Sequence, residues 1–263
     1  MKRIRETLAR LTRSSSRPSR DDSSVRLEKS NQSISSGGSI ETIASTPDGK
    51  GVLVLYDGVS DGDGGVDIVV VHDLFGHRIA NWFQRGICWP RDLLKDDFQV
   101  ARVITWGWTG PFGSNNAFTD QAESLLADMA AIRTRTARPI VFVGHGLGGL
   151  VIKEALVTAA MSRIYGSHHE LGNVYPKTVG VIFLGTPHSN SGKQSLGEVV
   201  ANAALMAPRP PSKELLRLFR ESSEMLENQR DTFALISRDI QVVCVRAKLS
   251  MPTGQVPQRS GGP

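Results

Sequence analysis

What the chain has little of narrows its chemistry first. Its 263 residues include only two cysteines, Cys88 and Cys244, far apart and in no Cys-x-x-Cys pair. A disulfide scaffold and a thiolate zinc site are thereby excluded, and a reducing compartment is expected. No stretch of about 18 apolar residues occurs, so no membrane-spanning helix is expected. The first residues lack the apolar core of a secretory signal, and an intracellular location follows. His168 and His169 are adjacent, which is not a zinc spacing, and neither a metal nor a cofactor is expected. Beyond Asp239 there is no Asp, Glu or His at all.

The charge is unevenly placed. Residues 1–20 hold seven Lys or Arg against one acid, Glu6, for +6, while the whole chain is +5, so the remainder is −1. The basic balance belongs to an N-terminal arm, and no nucleic-acid-binding face is expected on the domain. Ile4, Leu8 and Leu11 stand at helical spacing among those basic residues. This is the pattern of a mitochondrial targeting segment, or else of a disordered basic arm making peripheral contact with anionic lipid through residues 1–20. Twelve serines between residues 14 and 45 extend the disordered arm. Three parts are therefore expected: an arm over 1–49, one α/β domain over 50–249, and a disordered Pro/Gly-rich tail over 250–263.

Within the domain, short β-branched runs alternate with longer segments of helical period. Strands are predicted at Val52–Tyr56, Val66–Val71, Val100–Trp106, Ile140–Val143, Thr178–Leu184 and Ile240–Val245. Helices are predicted at Ala117–Arg135, Leu147–Ala160, Leu196–Met206 and Glu214–Ile236, the last two separated by the break at Pro208–Pro211. Residues 80–96 read as an aromatic loop with a short helix near Arg91–Lys95. Such alternation implies a mostly parallel, doubly wound sheet.

The most informative stretch joins a strand to a helix through Gly144-His-Gly146-Leu-Gly148-Gly149. Strand, sharp glycine turn and helix are the setting of the nucleophile elbow, G-x-S-x-G. Gly144 and Gly148 are in place, but Gly146 stands where the nucleophilic serine belongs. The same letters satisfy the dinucleotide fingerprint G-x-G-x-x-G. That reading also needs an acid closing the next strand, and Glu170 at the right distance lies in a polar segment instead. The elbow is the better reading.

Five blocks in order carry a resemblance: Val69-Val-Val-His-Asp-Leu-Phe-Gly-His77, Cys88-Trp-Pro-Arg-Asp-Leu-Leu94, Asp120-Gln-Ala-Glu-Ser-Leu-Leu126, Phe142-Val-Gly-His-Gly-Leu-Gly-Gly-Leu-Val-Ile-Lys-Glu-Ala-Leu156 and Gly180-Val-Ile-Phe-Leu-Gly-Thr-Pro-His188. With these the chain resembles fungal lipase-like serine esterases of the α/β-hydrolase fold, related to mitochondria- and ER-associated serine-active-site-containing proteins. It is more distantly similar to GPI inositol-deacylases and to the N-terminal domains of some fungal NTPase receptors. The resemblance implies an elbow of Gly144, His145, Gly148 and Gly149 around position 146. It implies an oxyanion hole from the backbone N–H groups of Leu147 and Leu74. It also implies a cytoplasmic, mitochondrial or ER-associated location.

The chain departs from that family in three respects. Gly146 has no side chain to attack an acyl carbon. Asp73 stands where the family usually has glycine and is expected to disturb or oppose an oxyanion. The triad order of this fold is Ser, acid, His, and no acid or His follows Asp239. The sheet is thus expected to lack its last strand and to leave Ile240–Val245 as an open edge. Among the histidines, His72 and His145 read as structural, His77, His168 and His169 as solvent-facing, and His188 as the one candidate for approach to the site. Loss of a triad nucleophile costs roughly a million-fold in subtilisin. The expectation is a non-catalytic binding or signalling module, with acyl lipid or protein as partner, in which Gly146 enlarges the acyl cleft. The alternative is an active serine-type ester or lipid hydrolase whose C-terminal sequence is misread.

Overall fold

The computed structural model describes residues 49–58, 65–109, 117–134, 138–166, 173–188 and 223–246. The expected arm (apart from Gly49) and the tail, the helix at 196–206, the break at 208–211, the start of the helix at 214–222, and His168 and His169 lie outside those residues.

Eight strands are described: β1 (Gly51–Asp57), β2 (Asp67–Val71), β3 (Phe83–Gln84), β4 (Ile87–Cys88), β5 (Arg102–Gly107), β6 (Ile140–His145), β7 (Thr178–Leu184) and β8 (Gln241–Val245). The helices are α1 (Trp89–Asp92), α2 (Leu94–Asp97), α3 (Ala117–Ile132), α4 (Gly148–Tyr165), α5 (Val174–Lys177) and α6 (Ser223–Ile236). Six strands form one sheet in the order β1-β5-β2-β6-β7-β8. All its pairings are parallel except that of β1 with β5.

The apolar runs explain the middle of the sheet. All of β2 and nearly all of β5 and β6 are buried, as expected for parallel strands covered on both faces. Val69, Ile104, Trp106, Phe142 and Phe183 meet Leu125, Met129, Leu150, Ile152 and Leu156 of the helices in one core. In contrast β8, at the edge, is only exposed or half-buried. The order also reverses between β2 and β6. From β2 the chain crosses to β5 on one side, and from β6 it crosses to β7 on the other. Ligands of open α/β sheets bind at such a reversal, beyond the carboxyl ends of the strands. Asp73 follows β2 there and Gly146 follows β6.

Several features differ from the sequence reading. The run from Val66, read as β-branched throughout, contains Asp67, which is fully buried at the opposite end of β2. It is held by Arg102, its register partner on β5, through bonds of 3.0 and 2.8 Å, and by Arg133. The aromatic loop contains the hairpin β3–β4, whose turn residues Arg85 and Gly86 both have positive φ, +51° and +81°, as a type I′ turn requires. Strands of two residues are too short to show alternation. The helix α4 runs five residues past Ala160, and the short α5 is not among the predicted helices.

Candidate functional site

The strand-to-helix turn is tight for reasons of packing. A Cβ on Gly148 would lie 2.3 Å from the His72 carbonyl oxygen and 2.6 Å from that of Val71. One on Gly144 would lie 2.5 Å from the Cα of Gly149, and one on Gly149 would lie 2.1 Å from Thr186 Oγ1. These glycines let α4 start directly against β2 and β6. Gly146 turns the corner at φ +52°, a conformation that costs an L residue about 1–2 kcal/mol. Its N–H donates to the Leu184 carbonyl at 2.9 Å, and its carbonyl accepts from Gly149 at 3.2 Å.

Asp73 occupies the centre of this turn. Its Oδ1 accepts the backbone N–H of Leu74 at 2.7 Å and that of Leu147 at 2.7 Å. The same carboxylate lies where a side chain at 146 would begin, since a Cβ on Gly146 would be 2.1 Å from its Cγ and Oδ1. The expectation that Gly146 widens an acyl cleft is therefore corrected: the vacated volume is filled by Asp73. Asp73 does more than disturb an oxyanion. It lies on the two donors itself, at the amino end of an 18-residue helix whose dipole favours negative charge. Burial pushes its carboxyl up from the usual range, while the His145 charge and the two N–H bonds pull it down.

A side chain that the sequence reading took as merely structural holds the loop behind Asp73. His72 is buried, and its Nε2 accepts the Trp108 N–H at 3.1 Å. Because a backbone N–H can only donate, the proton of the neutral ring sits on Nδ1, which donates to the Asp73 carbonyl at 2.7 Å. The Trp108 indole returns a bond to the His72 carbonyl at 2.9 Å. Burial lowers the His72 pKa to about 4, so the ring stays neutral and keeps both bonds at physiological pH. His145 places its ring edge against Trp82, and its Nδ1 is buried with no hydrogen-bond partner among the described residues.

No family model matches the chain. The chain is similar to Protein SERAC1. It is 24% identical to the human protein over 214 residues, which are 71% of this chain and 30% of that one. The Danio rerio SERAC1 is 23% identical over 213 residues, with the same two shares. The match thus spans about 30% of the length of these relatives. Among solved structures, the mature Bacillus licheniformis lipase BlEst2 is similar at 17% identity, over 73% of this chain and 70% of that one, with a TM-score of 0.48. A lipase/esterase from Lactobacillus plantarum is similar at 12% identity, over 74% and 82%, with a TM-score of 0.41.

The fold of this chain is an α/β-hydrolase fold with a mostly parallel sheet. Gly144, His145, Gly146, Leu147, Gly148 and Gly149 form one turn, and the structure brings the N–H groups of Leu74 and Leu147 to a single point on Asp73. His188 is engaged elsewhere. Its Nε2 meets Cys244 Sγ at 3.4 Å, and its ring stands edge-on to Phe183 at 5.0 Å. Lys153, buried on α4, sets its ammonium over the same Phe183 ring at 5.5 Å and over Phe233 at 5.8 Å. This cluster was missed, because its members are 35 and 56 residues apart in sequence and no motif joins them. Among the described residues no group of three or more His, Cys, Asp or Glu can hold a metal ion, and no helix is long and apolar enough to cross a membrane.

Proposed function

We propose that this domain is a lipase-like module that binds rather than hydrolyses, with an acyl lipid or a protein as its partner. The observation carrying this reading is the Asp73 carboxylate, bound to the Leu74 and Leu147 N–H groups in the space of the missing nucleophile. In a working elbow those groups would form the oxyanion hole. Here a carboxyl oxygen already uses both, so a developing oxyanion would meet no free donor. The similarity to SERAC1 is compatible with a lipid-related role, and the basic residues of 1–20 offer a contact to an anionic lipid surface.

The test is ester turnover by the purified chain. p-Nitrophenyl butyrate is expected to be hydrolysed no faster by the parent than by a heat-treated control. Gly146→Ser alone is also expected to be inactive, because its Cβ collides with Asp73. Turnover by the parent that is blocked by a fluorophosphonate would overturn this reading. The pair Asp73→Gly with Gly146→Ser separates the two obstacles. Activity in the pair but not in Gly146→Ser alone would assign the block to the carboxylate.

A further inference from the structure

Beyond the elbow, a second set of reactive groups lies at the carboxyl edge of β7 and β8. Cys244 is exposed, in contrast to Cys88, which is fully buried. Its Sγ lies 3.4 Å from His188 Nε2, within hydrogen-bond reach for sulfur and in the relation of a nucleophile to its base. Behind them stands Lys153, buried between the Phe183 and Phe233 rings. The charges that shape the Lys153 ammonium are Cys244 and Arg230, with no carboxylate among them, and those that shape Cys244 are Lys153 and Arg246. The negative charge best placed to neutralise Lys153 is thus a sulfur anion on Cys244. A step that makes this sulfur transiently anionic draws on these cations against the burial that disfavours its charge.

We propose that Cys244, His188 and Lys153 form a thiol-based covalent site in which Cys244 accepts an acyl group from a thioester. The Cys244 Sγ bonds to the thioester carbonyl carbon, and the carbon–sulfur bond to the carrier breaks. His188 Nε2 takes the thiol proton and delivers it to the departing carrier sulfur, which leaves as a thiol. One thioester replaces another, so no oxidant or reductant is needed. The cations acting on the sulfur, Lys153 and Arg246, suit an anionic carrier.

Protonation leaves the ring free to accept and the thiol with a proton to give, while the transfer itself is uphill. Burial, Lys153 and Arg246 hold His188 down to about 4, so the ring is neutral and able to accept a proton at pH 7. Burial pushes the Cys244 thiol up, against the pull of Lys153 and Arg246, so the thiol is protonated at rest and needs the base.

The test uses the full chain with acetyl-coenzyme A as the thioester, and intact mass with peptide mapping as the readout. A hydroxylamine-labile acetyl group is expected on Cys244 and none on Cys88. His188→Gln is expected to slow transfer at pH 7 by about a hundredfold, the low end of what a positioned base contributes. The deficit should close at alkaline pH, where solvent ionises the thiol. Lys153→Met, expected to fold at least as well as the parent, should also slow transfer. No adduct on Cys244 at millimolar thioester, or equal rates in parent and His188→Gln at pH 7, would overturn the proposal. Alkylation by iodoacetamide that depends on His188, without acyl transfer, would overturn the acyl assignment.

Discussion

A carboxylate held by two backbone N–H groups can be probed by removing either its charge or its acceptor oxygens. Asp73→Asn keeps an oxygen for Leu74 and Leu147, whereas Asp73→Ala leaves both donors without a protein acceptor. An unmatched buried donor costs about 1–3 kcal/mol, and partial exposure of Asp73 places the loss toward the lower figure. The charge acts in the opposite sense. Because burial raises the folded pKa of Asp73 above its ordinary 3.8, stability from this group falls as pH climbs from 3.8 through the folded value. The neutral amide escapes that loss. At pH 7 Asp73→Asn is therefore expected to match or exceed the parent in urea denaturation, and Asp73→Ala to fall below both. An alanine variant as stable as the amide would mean that the two N–H bonds contribute little.

At the scale of elements, the strands and the elbow were legible because two signals coincide: continuous β-branched runs for buried strands, and glycines where α4 touches β2. The reversed direction of β1 was not legible, since its alternation is the same for either orientation. Nor was the use of Asp67, because a single acid inside a run of valines carries no sign of its partners. Those partners, Arg102 from β5 and Arg133 from the end of α3, arrive from 35 and 66 residues away. The burial of Asp67 turns this into a prediction about the joint between β2 and β5. Asp67→Asn leaves two largely buried guanidinium groups without their carboxylate, and breaking a buried pair in this way costs about 3–5 kcal/mol. Chemical denaturation should show that loss. A change below about 1 kcal/mol would mean that the arginines find solvent when the acid is removed.

For the molecule as a whole, the same burial that builds the two sites sets the response to pH. His72 and His188 are each depressed from 6.5 to about 4. Their stabilising contribution is complete above pH 6.5 and is lost as pH falls toward 4, where protonation of His72 must break its bond from Trp108. Lys153 acts at the other end. It is 2% exposed, and burial lowers its pKa from 10.5 to about 8, a difference of about 3 kcal/mol. Above pH 10.5 the amine is neutral in both states and costs nothing. Between 10.5 and 8 the unfolded chain is protonated and the fold is not, so stability drops as pH falls, and below 8 the whole cost is present. Lys153→Met removes it while keeping an unbranched side chain between Phe183 and Phe233. The variant is expected to be more stable than the parent by up to about 3 kcal/mol at pH 7, with the gap closing between pH 8 and 10.5. Guanidinium denaturation of both proteins at pH 7 and at pH 10.5 measures it. An equal gap at the two pH values would mean that the gain comes from packing and that Lys153 carries no buried charge. A stable variant that has also lost acyl transfer at Cys244 would show the ammonium trading stability for reactivity, as strained functional groups do.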